Sequence, residues 1–221
     1  MGFRAAIFDL DGTLINSIED IAGAMNEVLD KYGYPSYSLD DYKYLTGGGA
    51  IELVKNSIKK ISNDGENEIE KMLQEYLDVY AKRNNSKSKP YKGITETLKK
   101  LSHISIPLGV ISNKPQIQVD KIVTQFFPNV FLAVQGSQQG VPLKPHPEGA
   151  IQMANSWNIS PENIIFVGDS GIDMETAKNA AMYGVGALWG FRDAIELTQT
   201  GAKILIQHPS EIIPLIIDTK T

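Results

Sequence analysis

Short apolar runs that stop at polar or acidic residues recur along this chain, and they constrain its fold more than any other feature. Ala5 to Phe8 stops at Asp9, Ile106 to Ile111 at Ser112, and Ile164 to Val167 at Gly168-Asp169. Phe131 to Val134, Val185 to Leu188 and Lys203 to Ile206 are further runs of this kind. Each is too short for a helix and apolar enough to be buried on both faces, as strands of a parallel sheet are. Helix-like segments lie between them at Ile94 to Leu101, Gln116 to Phe126, Glu148 to Trp157 and Met174 to Met182. The alternation predicts an α/β fold with a doubly wound, Rossmann-like parallel sheet covered by helices. In such sheets ligands bind beyond the carboxyl ends of the strands, where Asp9, Ser112 and Asp169 fall.

The stretch between the first and second runs follows another period. Ile18, Ile21, Ala22, Met25, Val28, Leu29 and Tyr32 have helical spacing, with Ser17 and Asp20 placed for a capping box. Ile69, Met72, Leu73, Tyr76 and Tyr80 mark a second amphipathic helix, and no strand pattern separates the two. An all-helical insert over residues 16–85 is therefore expected, with residues 1–15 and 86–221 forming the sheet domain. Asn84 to Pro90 is polar and breaker-rich and reads as the solvated return linker.

Charge and composition narrow the function. Lys plus Arg is 21 and Asp plus Glu is 26, a net charge of −5, which offers no basic face to nucleic acid. The four cations between Lys82 and Lys89 stand among Asn and Ser and read as a solvated connection. No apolar stretch approaches the length of a membrane span. The N-terminus has the pattern of neither a signal nor a transit peptide. The chain has no cysteine, which excludes disulfides, thiolate chemistry and Cys-ligated zinc and fits a reducing compartment. A cytoplasmic protein, monomer or homodimer, acting on a small molecule is expected.

Four groups of residues carry chemistry. Asp9-Leu10-Asp11-Gly12-Thr13 sets two carboxylates just past a buried strand, where they are costly without a partner. A hard cation such as Mg²⁺ suits oxygen ligands, and Gly12 permits a turn whose amides can cradle an anion. One carboxylate can then attack phosphorus while the other shuttles a proton. The same pattern also occurs in calcium loops and polar turns. Gly168-Asp169-Ser170-Gly171-Ile172-Asp173 offers two more acids: Asp169 to complete a metal site, Asp173 to order groups behind it. Helix N-capping by Ser170 or Asp173 is the plainer alternative. Ser112-Asn113-Lys114 can hold a phosphoryl oxygen through a hydroxyl and amides, although Ser-Asn is also ordinary turn chemistry. Lys144, in a loop stiffened by Pro142, Pro145 and Pro147, can neutralise a transferring phosphoryl group. Lys114 reads as a surface charge and His146 as a loop residue.

Taken in order, these motifs resemble the haloacid dehalogenase-like phosphohydrolase superfamily over about residues 4–190. The resemblance implies a four-helix cap at the insert and a phosphatase that uses Mg²⁺. It makes Asp9 the nucleophile and a metal ligand. Asp11 becomes the general acid/base, binding the metal through its backbone carbonyl. Thr13, Ser112 and Asn113 lie on the phosphate side, Lys144 stabilises the phosphoryl group, Asp169 ligates the metal, and Asp173 stands behind it. Asp11 separates the chain from the dehalogenase branch, which needs no proton shuttle there. Within the superfamily the motifs look like those of phosphoglycolate phosphatases. The carrying residues are Asp9 to Leu14 with Ser17, Thr46-Gly47-Gly48-Gly49-Ala50, Tyr91-Lys92-Gly93 and Trp189-Gly190-Phe191-Arg192, with Lys92 standing where Pro is frequent. Gly47, Gly48 and Gly49 would let cap backbone approach a small acid phosphate. Sugar, nucleotide and pyrophosphate phosphatases share several of these cues. A β-phosphoglucomutase-like isomerase would want basic groups on the cap loop, where Thr46 to Ala50 has none. A phosphorylated receiver domain would be shorter and lack the insert.

Overall fold

The computed structural model describes residues 2–59 and 66–216. Strand β1 (Ala5–Phe8) leads through the two-residue β2 (Ile15–Asn16) into four helices: α1 (Ile18–Lys31), α2 (Leu39–Leu45), α3 (Ala50–Ile58) and α4 (Glu66–Arg83). The chain returns at β3 (Lys89–Pro90) and continues through α5 (Ile94–His103), β4 (Leu108–Pro115), α6 (Gln116–Phe126), β5 (Ala133–Ser137) and α7 (Glu148–Ser156). It ends in β6 (Ile164–Gly168), α8 (Gly171–Asn179), β7 (Tyr183–Ala187), α9 (Ala194–Thr200), β8 (Ile204–Ile206) and α10 (Ile212–Ile216).

Six parallel strands form the main sheet in the order β5-β4-β1-β6-β7-β8. The order runs outward from β1 in both directions, so β1 is the switch point that opens a crevice at its carboxyl end. The side-chain period of two does the rest. Ala6 and Phe8 join one core layer with Val110, Val167, Leu98 and Ile122, while Ala5 and Ile7 join the other with Ile111, Phe166, Met153 and Ala177. A separate cluster from the four inserted helices holds Met25, Leu29, Tyr42, Leu53, Met72 and Tyr80. Phe191, from the loop after β7, packs into it.

The elements follow the expected runs with informative shifts. β4 begins at Leu108 rather than Ile106 and continues to Pro115, its pairing with β5 shifting register after Ile111. α8 begins at Gly171 rather than Met174, because Ser170 N and Oγ both donate to Asp173 Oδ2, at 3.0 and 2.6 Å, and close its first turn. The return linker is less solvated than expected, since Asn85 and Ser88 are buried.

The capping box expected at Ser17 and Asp20 is not formed. Ser17 Oγ donates to Asp11 Oδ1 instead, at 2.5 Å. Asp20 Oδ2 accepts from Lys87 N at 3.1 Å, Ser88 N at 2.8 Å and Ser88 Oγ at 2.7 Å. Long-range donors on the return strand outcompete the local one. They clamp the two crossings together beside the antiparallel pair Ile15↔Pro90 and Asn16↔Lys89. Asp20→Ala leaves the two buried Ser88 donors and the part-buried Lys87 amide unmet, which should destabilise the protein by about 2–4 kcal/mol. Denaturant unfolding measures it, and a loss near zero would show that the clamp is not a structural tie.

Candidate active site

Asp9 follows β1 directly and is fixed by its own amide, which donates to Val167 O at 2.9 Å. Its carboxylate is buried and Oδ1 accepts from Lys144 Nζ at 2.5 Å. Lys144 also reaches Asp173 Oδ1 at 2.6 Å, so one ammonium bridges the acid after β1 and an acid in the first turn of α8. Asp169, at the end of β6, is 1% exposed. Thr13 Oγ1 donates to its Oδ1 at 2.8 Å, and Phe191 N to its Oδ2 at 2.8 Å. The carboxylate lies against bare backbone. A Cβ added at Gly12, where φ is +91°, would come 2.3 Å from Asp169 Oδ2, and one at Gly190 would come 2.2 Å from Asp169 Cβ.

The carboxylates of Asp9, Asp169 and Asp173 can each bring an oxygen within 4.8 Å of the others. Three buried carboxylates around one ammonium leave unbalanced negative charge. Burial, then Asp173, raises Asp9 well above the ordinary carboxylate range against the pull of Lys144. Burial and Asp173 push Asp169 up to about 7 despite the Phe191 amide and the Thr13 hydroxyl. Burial alone would depress the Lys144 ammonium, but Asp173 and Asp9 outweigh it and hold its pKa above the ordinary lysine value. A cluster of hard oxygen donors with excess negative charge fits a divalent cation.

Asp11 turns away from this cluster. Its two oxygens accept from Lys114 Nζ at 3.0 Å each, in addition to the Ser17 bond. The expectation that Lys114 is a surface charge is corrected here. The residue is 7% exposed, its ammonium sits 4.5 Å from the centre of the Tyr80 ring, and the Asp11 charge keeps it protonated against the effect of burial. The strand carries four residues past the end of its apolar run, and its pairing with β5 shifts register after Ile111.

Asp9, Asp11, Ser112, Asn113, Lys144, Asp169, Gly47 and Gly49 line one cavity between the sheet and the inserted helices. Three expected substrate contacts lie elsewhere. Gly12 and Thr13 are beneath Asp169, and Thr13 has no exposed surface. Gly48 is not on the cavity wall, and a Cβ there would meet Glu52 Cβ at 2.9 Å. Asn113 lines the wall, but its side chain holds loops together: Nδ2 donates to Gly47 O and Lys144 O, both at 3.0 Å, and Oδ1 accepts from Lys144 N at 2.8 Å. Besides Lys114, sequence reasoning passed over Arg192, Tyr76 and Gln118 as wall residues. Arg192 NH2 donates to Thr46 O at 3.0 Å across to the inserted helices, and the pattern Trp189 to Arg192 was its available signal.

This arrangement of strands, acids and lysine has a match over most of the chain: the family model described as haloacid dehalogenase-like hydrolase aligns with residues 6–187. The chain belongs to the haloacid dehalogenase-like hydrolase family. A phosphoglycolate phosphatase of Psychrobacter arcticus is 32% identical over 206 residues, covering 90% of this chain and 89% of that protein. One from Aquifex aeolicus is 29% identical over 218 residues, covering 96% of each. Among solved structures, one from Lactobacillus delbrueckii subsp. bulgaricus superposes with a TM-score of 0.92 at 26% identity, covering 98% of this chain and 99% of the other. A predicted phosphoglycolate phosphatase from Haemophilus somnus superposes with a TM-score of 0.89 at 28% identity, covering 96% and 97%. No helix among the described residues is long and apolar enough to cross a membrane.

In this hydrolase the raised carboxyls predict a pH-dependent affinity for any cation that the cluster binds. With Asp169 at about 7 against an ordinary 3.8, the cation-free fold holds an extra proton between those values. Cation-free stability from this group is therefore greatest at acid pH and falls as the pH rises through that window. A cation held by Asp169 would displace the proton, so its affinity should weaken as pH falls below 7, by about tenfold per unit for one coupled proton. Melting temperatures of chelator-treated protein titrated with MgCl₂ at several pH values check this, and a pH-independent affinity would refute it.

Proposed function

We propose that this chain hydrolyses a small phosphorylated 2-hydroxy acid such as 2-phosphoglycolate through a phosphoaspartate on Asp9, with Mg²⁺ as its cation. The observation that carries the reading is the setting of Asp9. It is a buried carboxylate on the cavity wall, held by Lys144 at 2.5 Å, with a second carboxylate, Asp11, on the same wall. The relatives named phosphoglycolate phosphatases support the substrate class.

An oxygen of Asp9 attacks phosphorus and the ester P–O bond breaks. Asp11 gives its proton to the departing alkoxide, then takes one from the water that cleaves the phosphoaspartate and frees inorganic phosphate. Lys144 orients Asp9 and offsets phosphoryl charge, and Ser112 lies on the same wall, where its hydroxyl would donate to a phosphoryl oxygen. The cation, held by Asp9, Asp169 and the Asp11 carbonyl, would neutralise charge where phosphate and carboxylates meet. Asp173 holds Lys144 and starts α8. Residues 16–85 act as a cap that closes on the core formed by residues 1–15 and 86–221 and excludes water. Its wall over the cavity includes Ile21, Ala50 and Leu53, which gives a sugar or base few polar partners.

Asp9→Asn should abolish turnover while the fold persists, and substantial activity in a pure sample would end the phosphoaspartate mechanism. Asp11→Asn should lose about 10²–10⁴-fold with alkyl phosphates. The loss should be smaller with p-nitrophenyl phosphate, whose leaving group needs no proton. Equal losses on both would reduce Asp11 to a shaping role. A panel of phosphorylated metabolites tests the substrate. Nucleotides or hexose phosphates as far better substrates would overturn the 2-hydroxy acid assignment and leave the phosphatase standing.

A further inference from the structure

We infer that Lys114 recognises the leaving group, its ammonium forming a subsite for one carboxylate whose carbon lies two bonds from the ester oxygen. The inference rests on the phosphatase reading above and deepens it. Its first support is position. Lys114 lines the cavity with Asp9 and Asp11, and its Nζ is 3.0 Å from both Asp11 oxygens. Whatever oxygen Asp11 protonates must come within hydrogen-bond distance of that carboxylate. The ester oxygen and the Lys114 ammonium are then neighbours around one acid. A carboxylate separated from the ester oxygen by a single methylene reaches the ammonium while Asp11 still reaches the oxygen.

The second support is the state of the other cations on the wall. Lys144 is committed to Asp9 at 2.5 Å and Asp173 at 2.6 Å. Arg192 is committed to Thr46 O at 3.0 Å and Glu196 at 3.2 Å. Lys114 gives as many bonds as Lys144, but both go to a single acid, Asp11. That acid is also the group that turns to the substrate, and as it turns it frees donors of the ammonium for a substrate anion.

The third support is the surrounding wall. Tyr80 lies under the ammonium at 4.5 Å, and Ile21, Leu53 and Tyr76 face the same cavity. Burial keeps the Tyr76 phenol neutral, its pKa raised above the ordinary value. In such surroundings one ammonium balances one negative charge. A second phosphate would bring more charge than it can offset, and a sugar would bring hydroxyls to carbon. A short monocarboxylate fits.

The test compares kcat/KM for 2-phosphoglycolate with that for 2-hydroxyethyl phosphate, a substrate of similar size and leaving-group acidity that lacks the carboxylate. Wild type should prefer 2-phosphoglycolate, and Lys114→Met should lower the ratio by about 10–100-fold, the weight of one charge-assisted hydrogen bond. Lys114→Arg should retain part of the preference. Each ratio is read on one sample, so a misfolded fraction cancels. Equal proportional losses on both substrates, total loss included, would show that Lys114 only holds Asp11 and would overturn the proposal. So would a ratio that collapses in Arg192→Met and survives in Lys114→Met. A wild-type ratio near one would also overturn it, and hydrolysis of p-nitrophenyl phosphate would then show whether the phosphatase reading still holds.

Discussion

Burying several carboxylates beyond the ends of two neighbouring strands, β1 and β6, is the constraint around which this molecule is arranged. Three acids share a space in which any two can bring oxygens within 4.8 Å, and the ammonium of Lys144 touches two of them. Desolvating such groups costs several kcal/mol each, and one ammonium offsets part of it. The cost is tolerable because the scaffold beneath is rigid. β1 is paired on both sides in matched register, Phe8 opposite both Val110 and Val167, and both of its faces are packed. A one-residue slip would exchange the two faces and turn Asp9 to the wrong side. The apolar layers thus determine where the acids point.

Asp11 is the junction between chemistry and cap. Its carboxylate binds Ser17 at the start of the first cap helix and Lys114 at the end of a core strand. Three residues beyond Ser17, Asp20 ties α1 to the return crossing. Asp11 and Asp20 therefore both make long-range bonds near the crossings, and those of Asp20 replace a local capping box. Each links segments far apart in sequence, which a capping box cannot do.

The strands and most helices were legible because periodicity reports burial, and burial sets these elements. Gln116–Phe126 lies where its pattern put it, and Ile164 to Val167 sits within β6. The acids were legible because charge directly after an apolar run is hard to explain otherwise. Lys114 was not, since a lysine's sequence neighbours do not reveal a partner 103 residues away. Asn113 and Thr13 were legible as site residues but not as struts, because hydrogen-bond geometry decides between the two and composition does not. Gly48 shows the same limit. Three consecutive glycines look equivalent as letters, yet Gly47 and Gly49 face the cavity while Gly48 faces Glu52.

The ties between cap and core differ in strength along their length. Near the crossings, the Asp20 clamp joins a buried carboxylate to three donors and needs a large rearrangement to break. Around the cavity rim the ties are lighter. Asn113 Nδ2 meets Gly47 O, Arg192 meets Thr46 O, and Phe191 packs into the helical cluster. Neutral bonds of the first kind contribute about 0.5–1.5 kcal/mol net each, and the arginine contact somewhat more. Parting the rim therefore costs a few kcal/mol, far less than unfolding either hydrophobic core. A phosphatase that must admit substrate and then exclude water needs this gradient, firm at the crossings and weak at the mouth. The residues of the weak end, Gly47 and Arg192, are also those on the cavity wall, where a bound ligand can add to their hold.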